Sequence, residues 1–311
     1  MTTVAFLGLG IMGRPMAVNL VSAGFAVVGY SRRPESADPV VRAGGRAATS
    51  IADAVAQADV VALMLPDGPD VEAVLTGEQG VFDSVRPGTL IVDFSSISPA
   101  TSRELARRAA ERGLRMLDAP VSGGEAGAIE GTLSIMIGGA EEDVERLRPL
   151  FEAVGATVQR VGDHGAGQSV KAANQLIVAG AIQLVAEAIK LLEALDVDLD
   201  AALRVINGGL AGSKVLDRKA AAMLKRDFTP GFRAELHHKD LGIVTAAARD
   251  ASLPLPLGNA VAQLMAALVA QGRGSLDHGA LLAVLDDLTA ARGTEAANGA
   301  EARRRHEGIT K

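Results

Sequence analysis

The spacing Gly8-x-Gly10-x-x-Gly13, set between the apolar run VAFL and the helical stretch RPMAVNL, constrains this chain more than any other feature. Each glycine answers a separate steric demand. The first allows a tight strand-to-helix turn, the second lets the backbone approach a pyrophosphate, and the third lets helix and strand pack closely. The helix N-terminus then faces the phosphates. The spacing therefore predicts a βαβ unit that binds a dinucleotide, with Gly8, Leu9, Gly10, Ile11, Met12 and Gly13 forming the cofactor-binding turn.

From Val4 to about Gly162 the short apolar runs VAFLG, FAVVGY, VVALML, TLIVDF, LRMLDAP and LSIMIG alternate with segments carrying Ala, Arg and Glu at helical spacing. That alternation predicts a mainly parallel sheet with right-handed crossovers. After Gly162 the strand signals stop. GQSVKAANQLIVAGAIQLVAEAIKLLEAL, ELHHKDLGIVTAAARDA and four shorter stretches read as helices, punctuated by GGLAGS, FTPGF and LPLPLG. The predicted class is α/β: a doubly wound Rossmann-type N-terminal domain followed by an all-α C-terminal domain. A length of 311 residues suits two cores, because one core rarely grows past about 250–300 residues. The expected boundaries are 1–162 for the dinucleotide-binding domain, 163–293 for a helical substrate and oligomerisation domain, and 294–311 for a loosely held tail.

Composition narrows the chemistry. Cysteine is absent, which removes disulfides, thiol nucleophiles and Cys-ligated metals, and a net charge of −6 gives no electrostatic reason to expect nucleic acid or an anionic membrane. His237 and His238 are adjacent rather than one helical turn apart, so no metal is expected. The long apolar stretch after Asn174 is interrupted by Gln183, Glu187 and Lys190, too many polar groups for a lipid-facing span. An N-terminus that enters the nucleotide motif at once leaves no basic leader, and the expected setting is a reducing cytoplasm.

The end of the second strand bears on the choice of cofactor. An NAD site usually places Asp or Glu there for the ribose 2′-hydroxyl, whereas this chain reads Ser31-Arg32-Arg33. Two guanidiniums and a hydroxyl suit a 2′-phosphate instead. NADP is the expected cofactor, with NAD as the alternative. Farther on, Lys171 and Asn174 sit three residues apart at the head of a long helix and share one of its faces. A hydride cofactor at one end and an inward-facing amine at the other suggest a dehydrogenase.

With these pieces in order, the chain resembles the β-hydroxyacid dehydrogenases from Val4 to about Leu288. The resemblance rests on GLGIMGRPMAVNL, MLPDGPDV, DFSSISP, DAPVSGGEAGAIEGTLSIMIGG, GAGQSVKAANQ and KDLGI. It implies that Lys171 is the catalytic lysine and Asn174 its support. A partly desolvated lysine near a cationic nicotinamide can give a proton in reduction and take one in oxidation. The resemblance further implies that Ser122, Gly123 and Gly124 hold a substrate carboxylate. Leu65 and Pro66 would line the cofactor, and Ser96, at a position often Thr in the family, would reach the nicotinamide ribose or the substrate. Lys239 would serve the cofactor side. The helical segments INGGLAGSKVLD, FTPGFRAELHHKDL and GSLDHGALLAVL point to a small carboxylate, 2-hydroxy-3-oxopropanoate reduced to glycerate. Oxidation of 3-hydroxyisobutyrate, or reduction of succinic semialdehyde or glyoxylate, are the alternatives, with a non-catalytic nucleotide-binding module more distant. Family members are generally oligomers, which implies a homodimer or homotetramer formed through the helical domain.

Overall fold

The computed structural model describes residues 1–289, so the expected tail at 294–311 lies outside the described residues. The chain divides into two compact units, at Asn174 and Gln175. The strands, all in the first unit, are β1 (Thr3–Leu7), β2 (Ala26–Tyr30), β3 (Arg46–Ala47), β4 (Val60–Leu63), β5 (Leu90–Asp93), β6 (Arg115–Asp118), β7 (Val121–Ser122), β8 (Leu133–Gly138) and β9 (Gly155–Gly162). They form one sheet in the order β3-β2-β1-β4-β5-β6-β8-β7, with β9 on β8. The six strands from β3 to β6 are mutually parallel, β8 runs antiparallel to β6 and β7, and β9 runs parallel to β8.

Both faces of this sheet are covered, which is why its central strands read as unbroken apolar runs. Val4, Phe6, Val60, Ala62, Leu90 and Val92 enter one core, while Ala5, Leu7, Val61, Leu63 and Ile91 enter the other. Alternate residues thus serve opposite faces, as the two-residue strand period requires. The first core is anchored by Phe6 stacked on Phe94 at 6.5 Å and by Phe151 edge-on to Phe94 at 6.1 Å.

The helix Ala166–Ala194 begins in the first unit and continues into the second. Within the second unit its residues Ala179, Ile182, Ala186 and Ile189 are fully buried. They pack with Leu203, Leu216, Met223, Leu241, Met265 and Leu268 from the helices Leu199–Asn207, Lys214–Leu224, Ala234–Asp250 and Pro256–Leu268. By length and composition this helix could cross a membrane, with a mean hydropathy of 1.6. Its polar interruptions have partners inside the unit. Lys190 contacts Glu193 and Asp286, each at 2.9 Å, and Arg226 contacts the same two carboxylates at 2.8 and 2.9 Å.

Candidate active site

Strand order reverses between β1 and β4, and ligands of open α/β sheets gather outside the carboxyl ends of such strands. Gly8 to Gly13 follow β1 there, and Leu65 and Pro66 follow β4. Gly8 has φ +98°, and a Cβ on it would stand 2.3 Å from the Met64 carbonyl oxygen. Its N–H donates to the Tyr30 carbonyl at 3.0 Å, drawing the end of β2 alongside. At Gly13 a Cβ would meet the Gly8 oxygen at 2.0 Å, so only glycine lets this helix lie so close to the turn. Gly10 faces open space, with nothing within 4 Å of the Cβ position. The helix Gly13–Ser22 has no acidic residue in its first turn and no side-chain cap from Met12. Its positive end is thus left for an anion, so these residues fit a dinucleotide pyrophosphate. Leu9 turns into the core at 2% exposure and can offer only backbone, whereas Ile11 is exposed and Met12 half-buried.

Past β2, Arg32 and Arg33 are exposed and Ser31 is half-buried. The Ser31 hydroxyl accepts from the Arg33 N–H at 3.4 Å. Arg32 lies 3.8 Å from the Asp70 carboxylate with 83% of its side chain exposed, a screened pair that contributes little stability. The edge beside the Gly8 turn is therefore basic, which fits a 2′-phosphate.

The other end of the site is built from buried side chains. Ser95 Oγ accepts from the Leu65 N–H at 2.9 Å, and the Ser95 N–H donates to Asp93 at 2.9 Å. Gln168, 1% exposed, donates from Nε2 to the Ser95 carbonyl at 2.7 Å and accepts at Oε1 from the Ile97 N–H at 3.1 Å. Asp118, at the end of β6, accepts from the N–H groups of Gly165 at 2.7 Å and Gln168 at 3.0 Å. It caps the helix that carries Lys171. Burial pushes the Asp118 carboxyl above its ordinary range, against the lowering pull of those two donors.

Lys171 is buried at 8% exposure, and Asn174 is half-buried one step on. Gln168, Lys171 and Gln175 form a buried polar line at i, i+3 and i+7 on one helix face. Ser122 lies on β7, paired with Ser134 of β8, and Gly123 and Gly124 follow with φ of +148° and +67°. All three are half-buried. Every expected site residue except Lys239 thus falls in the first unit, and Leu65, Ser96 and the Lys171 helix are joined there by hydrogen bonds through Ser95 and Gln168. Asp118, Ser95 and Gln168 were not singled out from the sequence. The one available signal was the polar line in an otherwise apolar helix.

In the second unit, Lys239 lies 3.1 Å from Asp240, which accepts from Gln175 Nε2 at 2.5 Å. His237, fully buried, places Nε2 3.1 Å from the Gln175 carbonyl and Nδ1 2.9 Å from His278 Nδ1. A carbonyl can only accept, so His237 carries its proton on Nε2 and accepts at Nδ1 from His278. Burial, reinforced by His237, lowers the His278 pKa to about 3 although Asp277 is adjacent.

A Rossmann sheet with an anion-ready turn and a buried lysine beyond its strand ends has the parts of a dinucleotide-dependent oxidoreductase. The family model for the NAD binding domain of 6-phosphogluconate dehydrogenase matches residues 3–162. The model for the NAD-binding region of NADP-dependent 3-hydroxyisobutyrate dehydrogenase matches residues 165–285. The chain is 42% identical to the 2-hydroxy-3-oxopropionate reductase of Escherichia coli, over 91% of this chain and 97% of that one. It is 38% identical to an NAD-dependent L-serine dehydrogenase of Pseudomonas aeruginosa, over 92% and 98%. Among solved structures, the 3-hydroxyisobutyrate dehydrogenase of Mycobacterium tuberculosis with L-serine aligns with a TM-score of 0.83 at 37% identity, covering 92% of this chain and 99% of that one. The chain belongs to the β-hydroxyacid dehydrogenase family. It is an NAD(P)-dependent oxidoreductase acting on hydroxyacids.

Proposed function

We propose that this enzyme reduces 2-hydroxy-3-oxopropanoate to glycerate and prefers NADPH. The substrate assignment is carried by the similarity to the Escherichia coli 2-hydroxy-3-oxopropionate reductase along 97% of that enzyme's length. The cofactor assignment follows from the basic edge at Arg32 and Arg33. When bound, the nicotinamide cofactor supplies the hydride. Gly8, Leu9, Gly10, Ile11, Met12 and Gly13 would hold its pyrophosphate, Ser31, Arg32 and Arg33 its 2′-phosphate, and Leu65 and Pro66 would complete its binding within the first unit.

Ser122, with the backbone of Gly123 and Gly124, holds the substrate carboxylate. Lys171 gives a proton to the carbonyl oxygen as charge develops there, Asn174 hydrogen-bonds the same oxygen or orients the amine, and Ser96 donates a hydroxyl beside them. Burial of Lys171 at 8% exposure supports this role, because a general acid held out of bulk water is kept for the reacting oxygen. A short acid suits these assignments, since the carboxylate and the reacting oxygen must be held in one geometry.

The exposed apolar stripe Ile177, Leu184 and Leu191, at heptad spacing on the long helix, supports assembly into a homodimer or homotetramer through the helical unit. A cytoplasmic setting accords with this metabolic role. A second reading, oxidation of a 3-hydroxy acid such as L-serine or 3-hydroxyisobutyrate, is favoured by the Pseudomonas aeruginosa L-serine dehydrogenase and the Mycobacterium tuberculosis 3-hydroxyisobutyrate dehydrogenase.

Steady-state rates of reduction of tartronate semialdehyde, methylmalonate semialdehyde, succinic semialdehyde and glyoxylate with NADPH and NADH, and of oxidation of L-serine and glycerate with NADP+ and NAD+, separate these readings. The proposal expects the highest kcat/KM for tartronate semialdehyde with NADPH. A higher value for any other aldehyde, or for L-serine than for glycerate, under identical conditions overturns the assignment.

A further inference from the structure

We propose that Gln168 is a positioning residue that fixes Ser96 and sets the Lys171 helix relative to the Leu65–Pro66 loop. Its carboxamide spans Ser96 from both sides, donating to the carbonyl of the preceding residue at 2.7 Å and accepting the N–H of the following one at 3.1 Å. Only one orientation of the amide satisfies both bonds. A flip would set NH2 against N–H and oxygen against oxygen. At 1% exposure no solvent can replace either partner without rearrangement.

The same residue is rooted through its own N–H on Asp118 at 3.0 Å. Ser95, whose carbonyl it holds, carries the Leu65 N–H on its hydroxyl at 2.9 Å. Through its carboxamide, its own N–H and the Ser95 hydroxyl, three strand ends, those of β4, β5 and β6, are therefore coupled to one helix. Lys171 lies three residues on, a rise of about 4.5 Å, and a helix transmits such a placement rigidly. Gln168 touches no reacting atom in this account. It acts through Ser96 and Lys171, and the inference rests on the roles proposed for those two.

The test uses the full chain with Gln168→Leu and Gln168→Glu, the latter keeping an acceptor for the Ile97 N–H but no donor for the Ser95 carbonyl. In the cofactor-free protein, hydrogen exchange at residues 94–98 is expected to quicken in both variants, with exchange at 178–190 unchanged. With tartronate semialdehyde, kcat is expected to fall about 10–100-fold, the scale of a small misplacement of reacting groups, while NADPH binding stays within about twofold. Combined with Ser96→Ala, the loss is expected to be clearly smaller than the product of the two single losses.

Fully multiplicative losses, or a kcat deficit that merely tracks the folded fraction of both variants, overturn the inference. Lys171→Ala is assayed alongside. If it stays active the proposed chemistry fails, whereas an inactive Lys171→Ala beside wild-type-like Gln168 variants overturns only the positioning role.

Discussion

The two ends of the first unit's site are built on opposite plans. The pyrophosphate turn of the cofactor end is a continuous stretch of six residues whose work is done by backbone: a positive-φ turn at Gly8, a close approach at Gly13 and an uncapped helix start. The chemical end is assembled by side chains far apart in sequence, with Gln168 reaching Ser95 across 73 positions and Asp118 across 50. Backbone sites tolerate exposure, because their donors are fixed by the chain path. Buried polar side chains hold their place only if every member is satisfied. Under the proposed roles, the pyrophosphate turn and the proton-transferring side chain therefore rest on different supports, and single substitutions are expected to break one without the other.

The largest expected effect falls at the chemical end. Lys171→Ala lowers kcat by roughly 10²–10⁴-fold, the range for removing a general acid. A variant keeping more than half its activity at neutral pH would move the proton donor elsewhere.

Ser122→Ala is expected to raise KM by an amount worth about 1–3 kcal/mol, the loss of one donor to a buried carboxylate, with kcat much less affected. If kcat falls and KM holds, Ser122 belongs to the transition state instead.

At the cofactor end, Arg32→Ala with Arg33→Ala should weaken NADPH by more than about tenfold and leave NADH nearly unchanged. Equal losses for both cofactors would remove the 2′-phosphate assignment.

The smallest effect concerns stability in the helical unit. His278 ordinarily titrates at 6.5 but is held near 3 in the folded chain by burial and by His237. Its contribution to stability is therefore complete above pH 6.5 and is lost as pH falls toward 3, because the unfolded chain takes up a proton that the folded one refuses. His278→Phe should flatten the drop in Tm between pH 7 and pH 5. With no Trp and one Tyr in the chain, circular dichroism is the suitable probe. Identical drops in the two proteins would show that His278 is not the acid-sensitive group.

The same contrast explains how much the sequence disclosed. Strands such as β4 and β5 were legible because buried parallel strands are unbroken apolar runs. β3 and β7 have two residues each, too few to show a period, and β9 is mostly exposed or half-buried, with no apolar run. The Gly8–Gly13 turn was legible because its spacing is local. Lys171 and Asn174 could be named from their motif, but the clamp around Ser96 could not, since nothing in DFSSISP shows that a glutamine from a distant helix completes it. The His237–His278 pair was hidden likewise. Two histidines 41 residues apart become partners only when the helical unit folds.

The division of labour is tested most directly by titrating NADPH, followed by its own fluorescence, into Lys171→Ala and into the Arg32→Ala/Arg33→Ala double variant. Lys171→Ala is expected to bind NADPH within about twofold of the unmodified enzyme, while the double variant loses more than about tenfold. A Lys171→Ala protein that loses NADPH as severely as the arginine variant would contradict that division, for the two ends would then share one support.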